Sequence, residues 1–429
     1  MNTMTYKQAL SYLEQCKAAG MTMGLSRMER IMDLCGNPHR RLKTVHIAGT
    51  NGKGSTARMI QAIGAAAGYR VGLFSSPAVT GLRDTINVDN QAISEEAFAA
   101  WITRLKSEQP SMGPAGPCSE FELLTAAAFG WLAEQQTDFC VVECGLGGRE
   151  DATNILPPPL ISVLTPVSLD HTAILGTTVE AIARQKCGII KPPCGIVTAP
   201  VQPPEALGVI YETAARWGLS VRQPHRASAR ITEEDWGRLC FSYDHMDITL
   251  SLTGRVQCDN ALTAIETMRV LGEKGFSVTS EQICAGLSAV QMPCRQEVLS
   301  RHPLRLLDGA HNPQGIARLA ETLSRLSAEP LVMLMGMLAD KDVGAVMELL
   351  APFCREMICC TPPYPERALP AVELAACAAR GGVRAVAVPE PAAALAEAQR
   401  RAGDGPLLIG GSFYTCAAVR DLCVNTTQK

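Results

Sequence analysis

Eight residues near the N-terminus have the types and spacing of a phosphate-binding loop. They follow the apolar stretch 45–48 and precede a helix-forming stretch at 57–67, so a strand, a turn and a helix are predicted in that order. Backbone N–H groups at such a helix start bind phosphate, a lysine adds positive charge, and a hydroxyl can hold Mg²⁺. The spacing is a variant of the common one. The loop consists of Gly49, Thr50, Asn51, Gly52, Lys53, Gly54, Ser55 and Thr56.

A second polar cluster begins where another predicted strand ends, at Glu143. Glycines follow at positions 145, 147 and 148, and then come Asp151 and Ala152. A carboxylate at the carboxyl end of a strand lies where nucleotide sites in open sheets hold their metal ion. Taken alone, Glu143 could equally be a solvated strand end, but the phosphate loop beside it favours the metal.

Three more stretches contain residue types suited to phosphate or metal chemistry. Asp170 and His171 follow an apolar strand and could bind a metal or orient a phosphate. Asp308 and His311, in a run of small residues that permits close backbone approach, could meet a ribose or a phosphate. Lys186, by contrast, is typical of a surface lysine at a helix end, where the helix dipole favours it.

Composition narrows the classes of function. The 429 residues suffice for two or three domains, and Lys+Arg 39 nearly balances Asp+Glu 42. This balance argues against nucleic acid or an anionic membrane as partner. No apolar run could span a bilayer, and the N-terminus lacks a signal pattern. The 17 cysteines lie largely within predicted strands and helices, which indicates reduced thiols and a cytoplasmic location.

Hydrophobic patterning predicts two α/β domains. Strands and helices alternate between residues 44 and 217, which is typical of a mostly parallel, doubly wound sheet. A short-period stretch at 227–252 predicts a small antiparallel excursion. Alternation restarts near Met292, so we expect an N-terminal domain over 1–292 and a C-terminal Rossmann-like domain over 293–429. Strands are expected at 44–48, 71–74, 138–143, 160–164, 196–199, 304–307, 331–336, 357–361, 383–388 and 407–409.

Together these motifs resemble the folylpolyglutamate synthase/dihydrofolate synthase family, within the Mur-ligase-like superfamily of ATP-dependent amide ligases. Each motif alone is modest evidence, but they occur in the family's order over most of the chain. The resemblance implies an N-terminal P-loop ATPase-like domain and a C-terminal Rossmann-like domain, with ATP in the cleft. It rests on segments 49–56, 121–125, 143–154, 169–176, 186–191, 257–261, 308–313, 340–342 and 411–414.

The resemblance also implies which residues bind ATP. The loop from Gly49 to Thr56 would hold the phosphates, with Lys53 on the β- and γ-phosphates. Two polar residues would line the adenine side, and three residues of the C-terminal domain would contact ATP or the transferring phosphoryl group. They are, in that order, Gln257 and Asn260, then Arg295, Asp308 and His311.

Metal and acceptor residues follow from the same resemblance. Ser55 and Glu143 would hold one Mg²⁺, and His171 would hold a second together with Lys186, which would be N-carboxylated and therefore anionic. Lys53, His171 and Lys186 are accordingly the expected catalytic residues, and K⁺ is expected as a further cofactor. The residues expected to contact the pteroate or folate are Ser76, Pro77, Phe121, Asp151 and Ala152.

The implied reaction is an amide-forming ligation. The γ-phosphoryl group of ATP would pass to a carboxylate of dihydropteroate or a reduced folate. The amino group of L-glutamate would then attack the acyl phosphate and release phosphate beside ADP. Such transfer needs charge neutralisation and in-line positioning, which a lysine, two metal ions and a histidine would supply. A monomer is expected.

Departures from the family's usual pattern lie on the acceptor side and at the linker. Ser-Pro-His-Leu is replaced by Ser76-Pro77-Ala78-Val79, and Glu-Arg-Ile by Asp84-Thr85-Ile86. The usual Pro-Gly-Arg reads Pro293-Cys294-Arg295, and Glu150 adds an acid beside Asp151. The sequence therefore leaves the preferred acceptor open between dihydropteroate, reduced folates and another carboxylate.

Other classes fit the sequence less well. Muramyl-peptide ligases of the same superfamily carry an additional N-terminal domain, whereas two helices are expected here before Gly49. A P-loop GTPase switch would need an Asn-Lys-x-Asp motif, which the sequence lacks. A non-catalytic binding protein would have no need to retain Lys53, Glu143, His171 and Lys186.

Overall fold

The computed structural model describes residues 3–17, 24–78 and 81–427, with side chains up to residue 423. Val79, in the predicted acceptor loop at 78–85, lies outside the described residues. The chain forms two compact units. The first unit comprises Met1–Ser228 and Asp259–Leu287, and the second comprises Ala229–Cys258 and Ser288–Lys429.

The strands of the first unit form one eight-stranded sheet. They are β1 (Thr44–Ala48), β2 (Val71–Phe74), β3 (Ile86–Val88), β4 (Gln91–Ala92), β5 (Phe139–Glu143), β6 (Ile161–Leu164), β7 (Gly195–Thr198) and β8 (Val221–Arg222). The order is β4-β3-β2-β5-β1-β6-β7-β8; β3 pairs antiparallel with both β2 and β4, and all other pairings are parallel. Because β1 pairs with both β5 and β6, the three carboxyl ends meet at one edge of the sheet.

Helices cover both faces of this sheet. Every residue of β1 and β5 is buried, which fits their mainly apolar composition; the polar exceptions are Thr44, His46 and Glu143. Helix α5 begins with a capping box between Ser119 and Glu122. The helices are α1 (Tyr6–Lys17), α2 (Ser26–Leu34), α3 (Lys53–Ala66), α4 (Glu95–Glu108), α5 (Glu120–Glu134), α6 (Thr172–Leu175), α7 (Val179–Lys186), α8 (Pro204–Arg216), α9 (Val256–Gly272) and α10 (Ser280–Ser288).

The second unit contains two sheets. Strands β9 (Arg230–Asp235), β10 (Arg238–Tyr243) and β11 (Met246–Leu250) form an antiparallel sheet. A six-stranded sheet comprises β12 (Glu297–Arg301), β13 (Leu304–Asp308), β14 (Leu331–Met335), β15 (Cys354–Cys359), β16 (Ala385–Ala387) and β17 (Leu407–Gly410). Its order is β12-β13-β17-β14-β15-β16, and only β12 is antiparallel. Its helices are α11 (Pro313–Leu326), α12 (Val343–Leu350), α13 (Ala371–Arg380), α14 (Pro391–Ala402) and α15 (Phe413–Thr427).

The two units differ from the predicted division mainly over residues 229–258, which group by their contacts with the C-terminal part of the chain. Ion pairs within the second unit involve the antiparallel strands. Asp235 lies 2.9 Å from Arg301, and Glu234 lies 2.9 Å from Arg325. The domain boundary after residue 292 stays a prediction.

The predicted class, α/β with a doubly wound parallel sheet followed by a Rossmann-like one, is confirmed. The antiparallel excursion predicted at 227–252 is also present and comprises three strands. Among the described helices, none combines the length and apolar character needed to cross a membrane.

Candidate functional site

The phosphate loop connects β1 to α3 and is held by the segment after β6. Gly49 has φ +156°, and a β-carbon there would collide with the Thr165 hydroxyl, so only glycine fits. The Thr50 hydroxyl donates to the Ser168 carbonyl at 3.1 Å and accepts from the Ser168 N–H at 3.0 Å. The Thr50 N–H donates to the Pro166 carbonyl at 2.9 Å. The loop is therefore fixed before any ligand binds.

Asn260, at the start of α9, lies against the turn that opens α3. Gly52 has φ +84°, and a β-carbon there would come within 2.5 Å of the Asn260 amide oxygen. Glycine at this position thus allows both the left-handed turn and the close approach of Asn260. Thr56 is buried in the first turn of α3. Asn260 is therefore next to the phosphate loop, while its predicted role at the adenine stays a prediction.

Lys53 and Glu143 lie together at the start of α3. The Lys53 ammonium is 3.9 Å from Glu143 Oε1 and donates to the Thr50 carbonyl at 3.4 Å. Glu143 Oε2 accepts from the Ser76 N–H at 3.3 Å. A β-carbon at Gly54 would lie 3.2 Å from that same oxygen. These contacts are long for hydrogen bonds and ion pairs, so both charges can form stronger contacts with a ligand.

Lys186 approaches the same loop from the end of α7. Its ammonium is buried and donates to the Gly49 carbonyl at 2.7 Å. Burial, followed by the positive charge of Lys53, lowers the pKa of Lys186 to about 7. The residues around Lys186 in the sequence predicted a lysine on the surface, whereas the structure buries its side chain. A lysine with this pKa is substantially neutral near pH 7, which makes it a nucleophile.

Ser55 and Glu143 are suited to Mg²⁺. Ser55 is in the first turn of α3, and within the described part of the chain no protein group hydrogen-bonds to its hydroxyl. The described residues contain no group of three or more His, Cys, Asp or Glu side chains able to hold a metal ion. Mg²⁺ commonly takes one or two protein ligands and completes its shell with phosphate and water. The pair therefore fits a metal that binds with a nucleotide.

His171 lies on the segment between β6 and α6. It has φ +49°, and its side chain is 36% exposed. Its Nε2 is 3.9 Å from the Asp170 carboxylate, and its backbone N–H donates to that carboxylate at 2.9 Å. Asp170 also acts electrostatically on Lys186, which places this segment near the buried lysine. A second metal held by His171 and Lys186 stays a prediction.

Asp151 is buried and fixes the glycine-rich loop after β5. Its carboxylate accepts from the Leu146 N–H at 2.7 Å and from the Thr153 N–H and hydroxyl at 3.0 and 2.5 Å. Burial raises its pKa, although these hydrogen bonds oppose the shift. The contacts make Asp151 a positioning residue for the loop, and its predicted contact with the acceptor stays a prediction.

A buried histidine, His46, contacts the Thr153 hydroxyl that donates to Asp151. His46 Nε2 lies 2.8 Å from the Thr153 hydroxyl and 3.2 Å from Cys144 Sγ. Because Thr153 donates to Asp151, its oxygen accepts from His46, which assigns the imidazole proton to Nε2. Burial lowers the pKa of His46 to about 3, so the ring is neutral. This network was missed from the sequence, where its only signal was a polar residue at an inward position of an apolar strand.

The remaining predicted acceptor residues surround the same edge of the sheet. Phe121 stacks on Phe74 with ring centroids 6.1 Å apart, and it covers Gly145 so closely that a β-carbon would collide with the ring. Pro77 follows Ser76, which bonds to Glu143. Ala152 opens the short helical turn after Asp151 and is buried.

A separate polar cluster lies in the second unit, at the end of β13. The Arg295 guanidinium lies 4.2 Å from the centroid of the Phe413 ring, and the His311 ring centroid is 6.1 Å from it. Asp308 is buried and accepts from the Ala310 N–H at 2.6 Å and the Gln296 N–H at 2.9 Å. Burial raises the pKa of Asp308. The structure thus brings three predicted ATP residues together around Phe413.

The segment around Arg295 contains one departure from the family pattern, Cys294. Cys294 and Gln296 have φ +57° and +45°, a region that favours glycine. Cysteine therefore adopts the conformation that the usual glycine would adopt easily, at a cost of about 1 kcal/mol or more. The Gly309 N–H donates to the Cys294 carbonyl at 2.8 Å, which holds the segment in place. Gln257, the other predicted adenine residue, is buried at the start of α9.

Comparison with known proteins identifies the class. Residues 47–268 match the Mur ligase middle domain, and residues 294–412 match the Mur ligase glutamate ligase domain. Together with the phosphate loop, these matches define an ATP-dependent ligase.

Individual relatives narrow the class to one family. The Lacticaseibacillus casei folylpolyglutamate synthase is 33% identical over 97% of this chain and 98% of its own. The Escherichia coli dihydrofolate synthase/folylpolyglutamate synthase is 31% identical over 96% and 94%. A Mycobacterium tuberculosis folylpolyglutamate synthase complexed with ADP and AMPPCP superposes with a TM-score of 0.87 at 30% identity, covering 97% and 98%. The chain belongs to the folylpolyglutamate synthase/dihydrofolate synthase family.

Proposed function

We propose that this ligase adds L-glutamate to a carboxylate of dihydropteroate or a reduced folate, with ATP cleaved to ADP and phosphate. The names of the relatives support this substrate class, and E. coli FolC has been solved with DHPP and ADP, at 28% identity and a TM-score of 0.86 over 99% of both chains. The observation that carries the proposal is the convergence of Lys53, Glu143 and Lys186 on the phosphate loop.

Different residues of this chain bind the phosphates and the metal ion in the proposed reaction. Lys53 binds the terminal phosphates and offsets charge that develops as the phosphoryl group moves. Backbone N–H groups at the start of α3 hold the other phosphate oxygens. Ser55 and Glu143 would hold Mg²⁺, which would neutralise phosphate charge. The γ-phosphoryl group passes from ATP to the acceptor carboxylate, which gives an acyl phosphate and ADP. The amine of glutamate then attacks the acyl carbon and loses a proton, and phosphate leaves.

The finer assignments belong to the same proposal. Lys186 reacts as its neutral amine with carbon dioxide, forming a C–N bond and losing one proton to solvent, to give an N-carboxylate that would hold a second Mg²⁺ with His171. K⁺ is a further cofactor, and the enzyme acts as a cytoplasmic monomer. The low pKa of Lys186 supports the carboxylation, since only the unprotonated amine adds to carbon dioxide.

The test is glutamate incorporation, followed by mass spectrometry of the pterin product. Purified protein with ATP, Mg²⁺, K⁺ and L-glutamate receives dihydropteroate in one reaction and tetrahydrofolate in another. We expect one added glutamyl residue per turnover with at least one acceptor. No product with either acceptor would contradict the proposal. In that case UDP-N-acetylmuramyl peptides and other carboxylates are the next acceptors to test.

A further inference from the structure

Arg58, on α3, is a half-buried arginine that no predicted role accounts for. Nothing within the described residues is in hydrogen-bond or ion-pair contact with its side chain. Its nitrogens are also not among the side-chain atoms that are sealed from solvent without a partner, so the guanidinium reaches solvent. A cation whose side chain is largely buried normally has a paired anion, and the absence of one among the described residues points to a partner that binds from outside.

Helix geometry places Arg58 between the phosphate loop and the acceptor loop. Residues four apart lie on one face of a helix, so Arg58 follows Gly54, which faces Glu143. One turn further, the Gln61 amide donates to Asn87 Oδ1 at 2.7 Å, and the Asn87 amide donates to the Asp84 carbonyl at 3.2 Å. Arg58 therefore lies on α3 between Gly54, which faces Glu143, and Gln61, which is linked through Asn87 to Asp84.

Electrostatics agrees with this placement. Burial lowers the pKa of Arg58, and Glu143 and Asp84 are the two charges that oppose the shift. Neither carboxylate is within 4 Å of the guanidinium in an ion pair, and Glu143 already accepts a hydrogen bond from Ser76. The acids thus stabilise the charge of Arg58 from a distance and leave its five N–H donors for another group.

We propose that Arg58 binds the acceptor substrate through its carboxylate end and so helps to determine which carboxylic acids the enzyme accepts. This inference rests on the proposed function. A planar guanidinium matches a carboxylate with two parallel hydrogen bonds, which a lysine ammonium cannot reproduce.

The experiment compares R58Q and R58K with the wild type under steady-state turnover. We expect R58Q to raise KM for the pterin acceptor about tenfold or more, with KM for ATP changed less than twofold. R58K should recover only part of this loss. R41Q is the matched control, because Arg41 is exposed and forms no hydrogen bond or ion pair within the described residues.

Three outcomes distinguish the inference from its alternatives. An unchanged acceptor KM in R58Q, with an active wild type, would overturn the inference and leave the proposed function intact. Equal losses for ATP and acceptor, together with a lower unfolding midpoint, would also overturn it, since they indicate a structural role. If the wild type uses no pterin acceptor, the proposed function itself has failed.

Discussion

The phosphate loop and the glycine-rich loop after β5 begin at the ends of neighbouring strands, yet they use their polar groups in opposite ways. Around Asp151, three donors lie 2.5–3.0 Å from one carboxylate. Around Lys53, the nearest acceptors among the described residues are 3.4 and 3.9 Å away. Short, complete hydrogen bonds fix a loop, whereas long, incomplete ones leave charge available for a ligand. We therefore expect the phosphate loop to bind a ligand and the loop after β5 to hold neighbouring residues in place.

The largest expected effect is on activity and follows from Lys53→Ala. Removal of the charge that binds the terminal phosphates should lower the rate of ATP cleavage by about 10³-fold. Stability should change little, because the ammonium makes only long contacts. The assay is phosphate release, with urea unfolding in parallel. Lys7→Ala, at an exposed lysine of α1, is the control, and near-normal turnover in Lys53→Ala would refute the binding role of the loop.

Asp151→Asn should instead act mainly on stability. The amide places an N–H against donors that now face a carboxylate, so the free energy of unfolding should fall by about 2–4 kcal/mol. Urea unfolding measures this, with Asp247→Asn as the exposed control. A stable variant that has lost only its affinity for the acceptor would show that Asp151 binds substrate rather than holding the loop.

His171→Asn tests the exposed histidine of the second predicted metal site. Asparagine tolerates the left-handed backbone at this position, so the free energy of unfolding should shift by no more than about 0.5 kcal/mol. Loss of a metal ligand should lower activity about 10–100-fold and raise the Mg²⁺ concentration needed for half-maximal rate. An unaltered Mg²⁺ dependence would remove His171 from the metal site.

The most gradual effect concerns Lys186 and the pH dependence of stability. Its pKa falls from 10.5 to about 7 on folding. The unfolded chain therefore binds more protons between these values, and stability rises with pH there by up to about 1.4 kcal/mol per unit. Below pH 7 the cost of the buried charge is fully present. Urea unfolding between pH 7 and 9.5 should show this slope in the wild type without bicarbonate.

Lys186→Met supplies the reference for that slope. The difference between wild type and variant should grow with pH in bicarbonate-free buffer, and added bicarbonate should flatten it if the lysine becomes N-carboxylated. A pH-independent difference would mean that Lys186 is charged in the folded protein.

Sequence patterns predicted most of the framework because strands such as β1 and β5 are short apolar runs followed by polar motifs. They missed β3, β4, β8 and β12, which are short strands without a clear alternation of apolar and polar residues. At the site, Lys53 and Glu143 were predicted from their position at strand ends. The hydrogen bond between His46 and Thr153 could not be predicted, because it joins two buried residues that are 107 positions apart in the sequence.

The same limit applies to Lys186 and Arg58. Both are single basic residues on helices, and their sequence context resembles that of surface residues. Their burial depends on which helix face meets the loop ends, which only the packed structure determines. For Arg58, the helix face on which it lies decides whether it is a solvated surface charge or the substrate contact that we propose.

The most direct test of the account is ATP-dependent phosphate release by the purified wild type. We predict release only when L-glutamate and a pterin acceptor are both present, with dihydropteroate and tetrahydrofolate supplied separately. Release with dihydropteroate would indicate a role in folate synthesis, and release with tetrahydrofolate alone a role in polyglutamylation. Absence of release with either acceptor, from protein that binds ATP, would contradict the account.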